Sequence, residues 1–366
     1  MKGFPLKRMV AIPAAAAMAF GLVACGSSNE SGDNGGGSDK GMQLSGTLSG
    51  AGASSQDAAQ QGWSAGFLEK NPDVTINYDP IGSGGGREQF INGGSDFGGT
   101  DAYLDDEEVA GAEKRCGELV EVPVYISPIA LIFKVDGVDE LKLKPETVAK
   151  IFNQKITKWN DPEIAKTNPD AKLPDTAITP VNRSDESGTT ENFVEYLSAA
   201  APDAWPHEVS GDWPVKGGEA AQGTSGVVQA VKNGSGTIGY ADASQAGDLS
   251  TVQVGVGEEF VGYSPEAAAK VVEVSERVKG RGEYDFAYDL ARDTKESGAY
   301  PIVLVSYAMA CSEYDDKKTA ELVKGYLSYM VSEDGQAAAA DAAGSAPLSD
   351  ELRKQIMPAV EAISAG

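Results

Sequence analysis

Four turns rich in glycine, serine and threonine constrain this 366-residue chain more than any other feature, because each stands between a strand pattern and a helix pattern. Residues 44–49 lead into Gly50-Ala51-Gly52-Ala53-Ser54-Ser55, followed by a helix pattern carrying Trp63, Phe67 and Leu68. Residues 74–78 lead into Gly82-Ser83-Gly84-Gly85-Gly86-Arg87 and a short helix to Ile91. Residues 96–100 form a short strand ending at Asp101, ahead of an acidic helix start at 105–108; Asp101 is placed either to cap that helix or to face whatever the two glycine turns hold. Residues 176–181 lead into Arg183-Ser184-Asp185-Glu186-Ser187-Gly188-Thr189-Thr190, then a helix face of Phe193, Val194 and Leu197. A helix start leaves its first N–H groups unpaired and carries a partial positive charge. Glycine admits close backbone approach, hydroxyls donate hydrogen bonds, and Arg183 adds a forked cation. Any one of these turns is ordinary capping chemistry. Four of them converging at the carboxyl ends of strands, where open α/β sheets bind ligands, make an oxyanion site.

Strand and helix patterns alternate through the rest of the chain, so the fold class is α/β. Runs 120–125 and 129–134 are separated by Ser127-Pro128, a crossing between domains, and 301–310 reads as the return crossing. Helix patterns occupy 145–152, 219–232, 265–278, 319–331, 335–343 and 350–363, with a strand at 236–240. The length suits two domains of ordinary size.

The formal net charge of −25 excludes nucleic acid as a partner, and a basic membrane-binding face with it. It does not exclude a buried anion, since salt screens distant surface charge within about 8–10 Å. Lys2, Lys7 and Arg8 precede an apolar run over 9–24 that ends in Leu22-Val23-Ala24-Cys25. This reads as an export signal over 1–24. The ending resembles a bacterial lipobox, which implies lipid on Cys25 and a chain held on the outer face of the cell membrane. Residues 25–42 are poor in apolar side chains and read as a flexible tether. In an exported chain the remaining Cys116 and Cys311 suggest one disulfide, with two separate buried thiols as the alternative. Three cysteines and the single His207 make no convincing zinc or copper cluster, no calcium loop occurs, and no cofactor is expected.

Taken in order, Gly50-Ala51-Gly52-Ala53-Ser54, Ile81-Gly82-Ser83-Gly84-Gly85, Asp96-Phe97-Gly98-Gly99-Thr100-Asp101 and Arg183 to Thr190 resemble the four ligand loops of a known family. That family is the phosphate-binding protein that feeds the high-affinity phosphate ABC transporter. The stretch from Ile151-Phe152-Asn153 to Trp159-Asn160-Asp161, and residues 236–240, resemble it too. The resemblance spans residue 44 to the C-terminus. It implies a two-lobed, type II periplasmic-binding fold with two hinge crossings: lobe I over 43–127 and 305–366, lobe II over 128–304. It implies phosphate contacts at Ser54, Ser55, Ser83, Asp101, Arg183, Ser187, Gly188 and Thr189, with Asp185 orienting Arg183. It also implies permease and ATPase subunits as partners of a monomer that performs no chemistry. One departure stands in the first loop, where the family often carries an aromatic after Thr and this chain has Ser55. Its contact is therefore expected through the backbone N–H.

The residues give a selectivity argument of their own. Phosphate near neutral pH keeps at least one proton and sulfate keeps none, while a carboxylate only accepts hydrogen bonds. Asp101 would take the phosphate proton and repel sulfate. A receptor for sulfate or molybdate is one alternative, and Asp101 argues against it. A secreted serine hydrolase using Ser187 with His207 is another, but no nucleophile-elbow motif surrounds either residue.

Overall fold

A computed structural model describes residues 44–366. The expected signal over 1–24, lipidation at Cys25 and tether over 25–42 lie outside the described residues.

The first third of the chain runs as strand–turn–helix units. Strand β1 (Ser45–Gly52) passes through a short 3-10 turn into helix α1 (Asp57–Lys70). Strand β2 (Asp73–Asp79) passes into α2 (Ser83–Ile91), and β3 (Phe97–Thr100) into α3 (Asp106–Cys116). These three strands pair in parallel in the order β2-β1-β3. Their carboxyl ends therefore lie on one edge, with the glycine turns beside one another.

Strand β4 (Leu119–Lys134) is buried along nearly its whole length, as its predominantly apolar sequence suits in a strand covered on both faces. The expected pair of strands at 120–125 and 129–134 is this single element. Ser127-Pro128 marks a change of partner within it. Residues 119–128 pair antiparallel with the returning strand, and residues 129–134 with a strand of the second group. Pro128 has no N–H to give a ladder, which suits the point of exchange.

The second group contains β5 (Glu140–Leu143), α4 (Pro145–Phe152), α5 (Pro162–Thr167), β6 (Thr179–Arg183) and α6 (Gly188–Ala200). It continues with β7 (Glu219–Ala221), α7 (Gly223–Asn233), β8 (Thr237–Asp242), β9 (Ser250–Val256), β10 (Glu259–Val261) and α8 (Pro265–Glu273). Strands β6 and β8 pair in parallel, again placing a turn at the carboxyl end of β6. A small hairpin of β11 (Glu276–Arg277) and β12 (Tyr288–Asp289) follows. Strand β13 (Val303–Cys311) then returns between β3 and β4, antiparallel to both. Helices α9 (Lys317–Val331), α10 (Glu333–Ala343) and α11 (Asp350–Glu361) close the chain. The main sheet order is β2-β1-β3-β13-β4-β8-β6-β7.

Three local expectations are corrected. The start of α3 is capped by Asp105, which forms a reciprocal capping box with Glu108, and not by Asp101. Residues 219–232 do not form one helix: Glu219 pairs with Val181 as strand, and Gly223, with φ at 69°, turns the chain into α7. The helix beginning at Pro265 stops at Glu273, short of 278. Val271, Val272 and Val274 are β-branched, and Ser275 folds its hydroxyl back onto the Val271 carbonyl.

Cys116, at the end of α3, is disulfide-bonded to Cys311, at the end of β13. Residues 284 and 286 reach back to hydrogen-bond the backbone of Glu121 on β4. Arg281 bridges the buried carboxylates Glu121 and Asp285 there. Burial pushes the Glu121 carboxyl well above the usual range, and nearby Asp285 pushes it the same way.

Candidate functional site

The sheet topology brings the four turns together around Asp101. This carboxylate follows β3 directly and is buried. Its Oδ1 accepts from Ser55 Oγ at 2.6 Å and Ser306 Oγ at 2.6 Å, and its Oδ2 accepts from Thr189 Oγ1 at 2.9 Å. Its backbone N–H donates to Ser83 Oγ at 3.1 Å. Burial pushes the Asp101 carboxyl upward, while the three hydroxyls and the charge of Arg183 pull it back. A carboxylate has about four acceptor positions. Three hydroxyls fill three of them and leave one for a further proton donor.

Ser54 and Ser55 are buried beside this carboxylate, and neither caps α1. Ser54 Oγ instead accepts from the Thr224 N–H at 3.1 Å and lies 3.0 Å from Thr224 Oγ1. The Ser55 side chain is itself engaged, through its hydroxyl to Asp101, where only its backbone was expected to act. Ser83 opens α2 after Gly82, whose φ of 100° only glycine adopts readily.

From the second group, Ser187 caps α6 by accepting the Thr190 N–H. Gly188 has no room for a side chain: a Cβ there would lie 2.7 Å from Ser83 Oγ and 2.8 Å from Asp101 Cβ. Arg183 ends β6 and is buried. Its guanidinium is held by Asp185, with Nε donating to Oδ1 at 2.9 Å and Nη2 donating to Oδ2. Asp185 also accepts the Gly223 N–H, which anchors the pair to the start of α7. Partial burial raises the Asp185 carboxyl, but the Arg183 hydrogen bonds and charge outweigh it and hold it below its usual value. A hypothetical Cβ on Gly82 would stand 3.5 Å from Arg183 Nη2, so the cation sits against the second glycine turn.

The arrangement offers hydroxyl donors, a helix start and a fixed guanidinium around one acceptor-only group. Such a set suits an oxyanion that still carries a proton. A cavity of only about 20 Å3 adjoins Asp101, bounded among others by Asn192, Arg292 and Tyr307. A wider cleft of about 620 Å3 lies elsewhere, between Lys144, Glu258 and Lys295. It is open, lined by both charge signs, and lacks the buried converging donors.

Residues 37–334 match the family model of a PBP superfamily domain. The chain belongs to the PBP superfamily. Similar curated proteins include phosphate-binding protein PstS 3 of Mycobacterium tuberculosis, 36% identical over 370 residues, covering 97% of this chain and 98% of that one. PstS 2 of the same organism is 32% identical over 359 residues, with 94% and 95% covered. Among solved structures, a putative phosphate ABC transporter substrate-binding protein from Clostridium perfringens, with phosphate bound, aligns at TM-score 0.59 and 23% identity. It covers 81% of this chain and 98% of its own. A high affinity periplasmic phosphate-binding protein, also with phosphate bound, aligns at TM-score 0.71 and 21% identity, with 85% and 93% covered.

All eight contact positions expected in this PBP-superfamily member fall in or beside the Asp101 cluster. Sequence reasoning missed four supporting residues. Ser306 is the one hydroxyl-bearing serine inside the apolar run of β13, and a lone buried polar residue was the signal for it. Thr224 belongs to a fifth turn, Gly223-Thr224-Ser225-Gly226, of the same kind as the other four. Asn192 donates to the carbonyls of Asp101 and Gly188, and Tyr240 Oη accepts the Arg183 N–H. His207 lies 3.1 Å from Asn153 Oδ1 through Nε2 and packs on Trp205; Ser187 Oγ is occupied in capping α6. No hydrogen bond joins His207 to Ser187 among the described residues. No cluster of metal-ligating side chains occurs among them either, and no helix is long and apolar enough to cross a membrane.

Proposed function

We infer that this chain is an exported receptor that binds one inorganic phosphate and delivers it to the permease of an ABC transporter. The observation that carries this reading is Asp101: a buried carboxylate ringed by Ser55, Thr189 and Ser306 hydroxyls, with Arg183 close by. The hydroxyls and Arg183 satisfy ligand oxygens, and the free acceptor position of Asp101 takes the ligand's proton. Ser54, Ser83, Ser187 and Gly188 complete the shell from hydroxyls and helix-start N–H groups.

The contacts come from both strand groups, so binding closes one onto the other. Lobe I is 43–127 with 305–366, and lobe II is 128–304, with the crossings in β4 and ahead of β13 as hinges. The receptor works as a monomer tethered through lipid on Cys25, outside the cell membrane, with the permease and its ATPase as partners. It performs no chemistry on its ligand. The relatives named phosphate-binding proteins, and the solved structures with phosphate bound, support this reading.

Calorimetric titration of the chain, stripped of bound phosphate, tests it. Tight one-to-one binding of phosphate without binding of sulfate is expected. Binding of neither anion would overturn the reading, and equal binding of both would turn it to a general oxyanion receptor.

A further inference from the structure

Arg87 lies outside the expected ligand contacts yet joins both strand groups. It sits on α2, one turn beyond Ser83, and is buried. Its Nε donates to Glu108 Oε1 at 2.7 Å, Nη1 to Thr100 Oγ1 at 3.1 Å and Nη2 to Glu186 Oε1 at 2.9 Å. Glu108 is itself fixed, because its other oxygen accepts the Asp105 N–H in the capping box. Glu186 belongs to the opposite group, in the loop between Arg183 and Ser187. The first turn of α2 is shaped to admit it: a Cβ on Gly84 would lie 2.3 Å from Glu186 Cδ.

We propose that Arg87 is a positioning residue for ligand binding, latching α2 onto the loop that carries Ser187 through Glu186. The proposal rests on the phosphate reading above. An isolated surface ion pair contributes little, since ordering two long side chains offsets the attraction. Here the guanidinium is already held by Glu108 and Thr100, so the bond to Glu186 orders little more. A planar fork satisfies three acceptors in fixed directions, which an ammonium does not. The Glu186 side chain is 49% exposed and has no other hydrogen bond among the described residues, so it is free to swing away when the groups part. The latch therefore acts on release of ligand from the closed state.

The test measures phosphate dissociation from the full chain. Glu186→Gln preserves size and leaves Arg87 paired with Glu108. It should speed dissociation roughly threefold to tenfold while association changes by less than about twofold. Glu186→Lys sets a second cation against Arg87 and should speed it further. The ligand-free thermal midpoint of Glu186→Gln should match the wild type, which separates a latch from a merely structural contact. Normal wild-type binding with unchanged release in both variants would overturn the latch alone. Faster release matched by an equal loss of ligand-free stability would also overturn it. Failure of the wild type to bind phosphate would overturn the reading beneath it.

Discussion

Ser306 Oγ donates to Asp101 Oδ1 at 2.6 Å across the β13–β3 edge. The pairing of β13 with β4 slips between Ser306 and Tyr307, and this irregularity accompanies the turn of the Ser306 hydroxyl toward Asp101. A crossing strand thus contributes a side chain directly to the Asp101 cluster. Gln56 donates to the same hydroxyl, so it is held from both sides. Ser306→Ala removes one donor from Asp101 and one acceptor of Gln56, whose amide keeps the Tyr307 carbonyl. Phosphate affinity should fall by about 1–2 kcal/mol, a factor of roughly five to thirty in Kd, read by titration calorimetry. Unchanged affinity would remove Ser306 from the site.

Arg183→Lys tests the fork. The variant keeps the charge but loses the two-point hold of Asp185. Phosphate affinity should fall by at least about tenfold, because an ammonium does not reproduce that geometry. Asp185→Asn should cost less, since Gly223 still has an acceptor and Arg183 keeps its place on β6. If the lysine variant bound as well as the wild type, Arg183 would act only as a distant charge.

Stability should depend on pH through two carboxyls, half-buried Glu191 and buried Asp242. Burial pushes Glu191 up to about 7, with Glu195, Glu108 and Glu186 adding to the rise and Arg87 opposing it. Burial pushes Asp242 up to about 6, opposed by the Ser244 and Ser127 hydroxyls and raised by Asp101. Both groups hold protons in the folded chain that the unfolded chain has already released. Stability therefore falls as pH rises from about 4 to about 7, at roughly 1.4 kcal/mol for each unit by which a carboxyl is raised. Glu191→Gln and Asp242→Asn should each flatten the decline of the thermal midpoint over that window. A midpoint rising with pH there in the wild type would contradict the assignment.

The disulfide encloses a sequence separation of 195 residues and staples the end of α3 to the end of β13. Replacing both cysteines by serine should lower stability by about 2–5 kcal/mol in denaturant unfolding. Binding stoichiometry should stay at one phosphate, since neither sulfur contacts the Asp101 cluster. Loss of binding in a chain that remains folded would show that the bridge shapes the site.

The site was legible in the sequence wherever a glycine or serine turn met both a strand and a helix. Ser54, Ser83, Asp101 and Arg183 were singled out from such turns and given contact roles by the resemblance, and the carboxyl ends of parallel strands place these turns on one edge. Ser306 was not, since it arrives on an antiparallel crossing strand and its direction depends on a local slip in pairing. Thr224 was hidden because residues 219–232 carry helical spacing that masked the three-residue strand before Gly223. The α/β class followed from alternation, but the single β4 strand did not. Pro128 breaks the local pattern while the sheet continues through it by changing partner. The engagement of the Ser55 hydroxyl was also unreadable, since only the fold places it 2.6 Å from Asp101.

Asp101 is proposed to select a protonated oxyanion. The most direct test is parallel titration of the wild type and Asp101→Asn with phosphate and sulfate. The wild type should prefer phosphate by about two orders of magnitude or more. In Asp101→Asn the amide can donate, so sulfate affinity should rise, phosphate affinity should fall and the preference should collapse. An Asn variant that keeps the wild-type preference would contradict the account, and the selectivity would then have to reside in the surrounding hydroxyls.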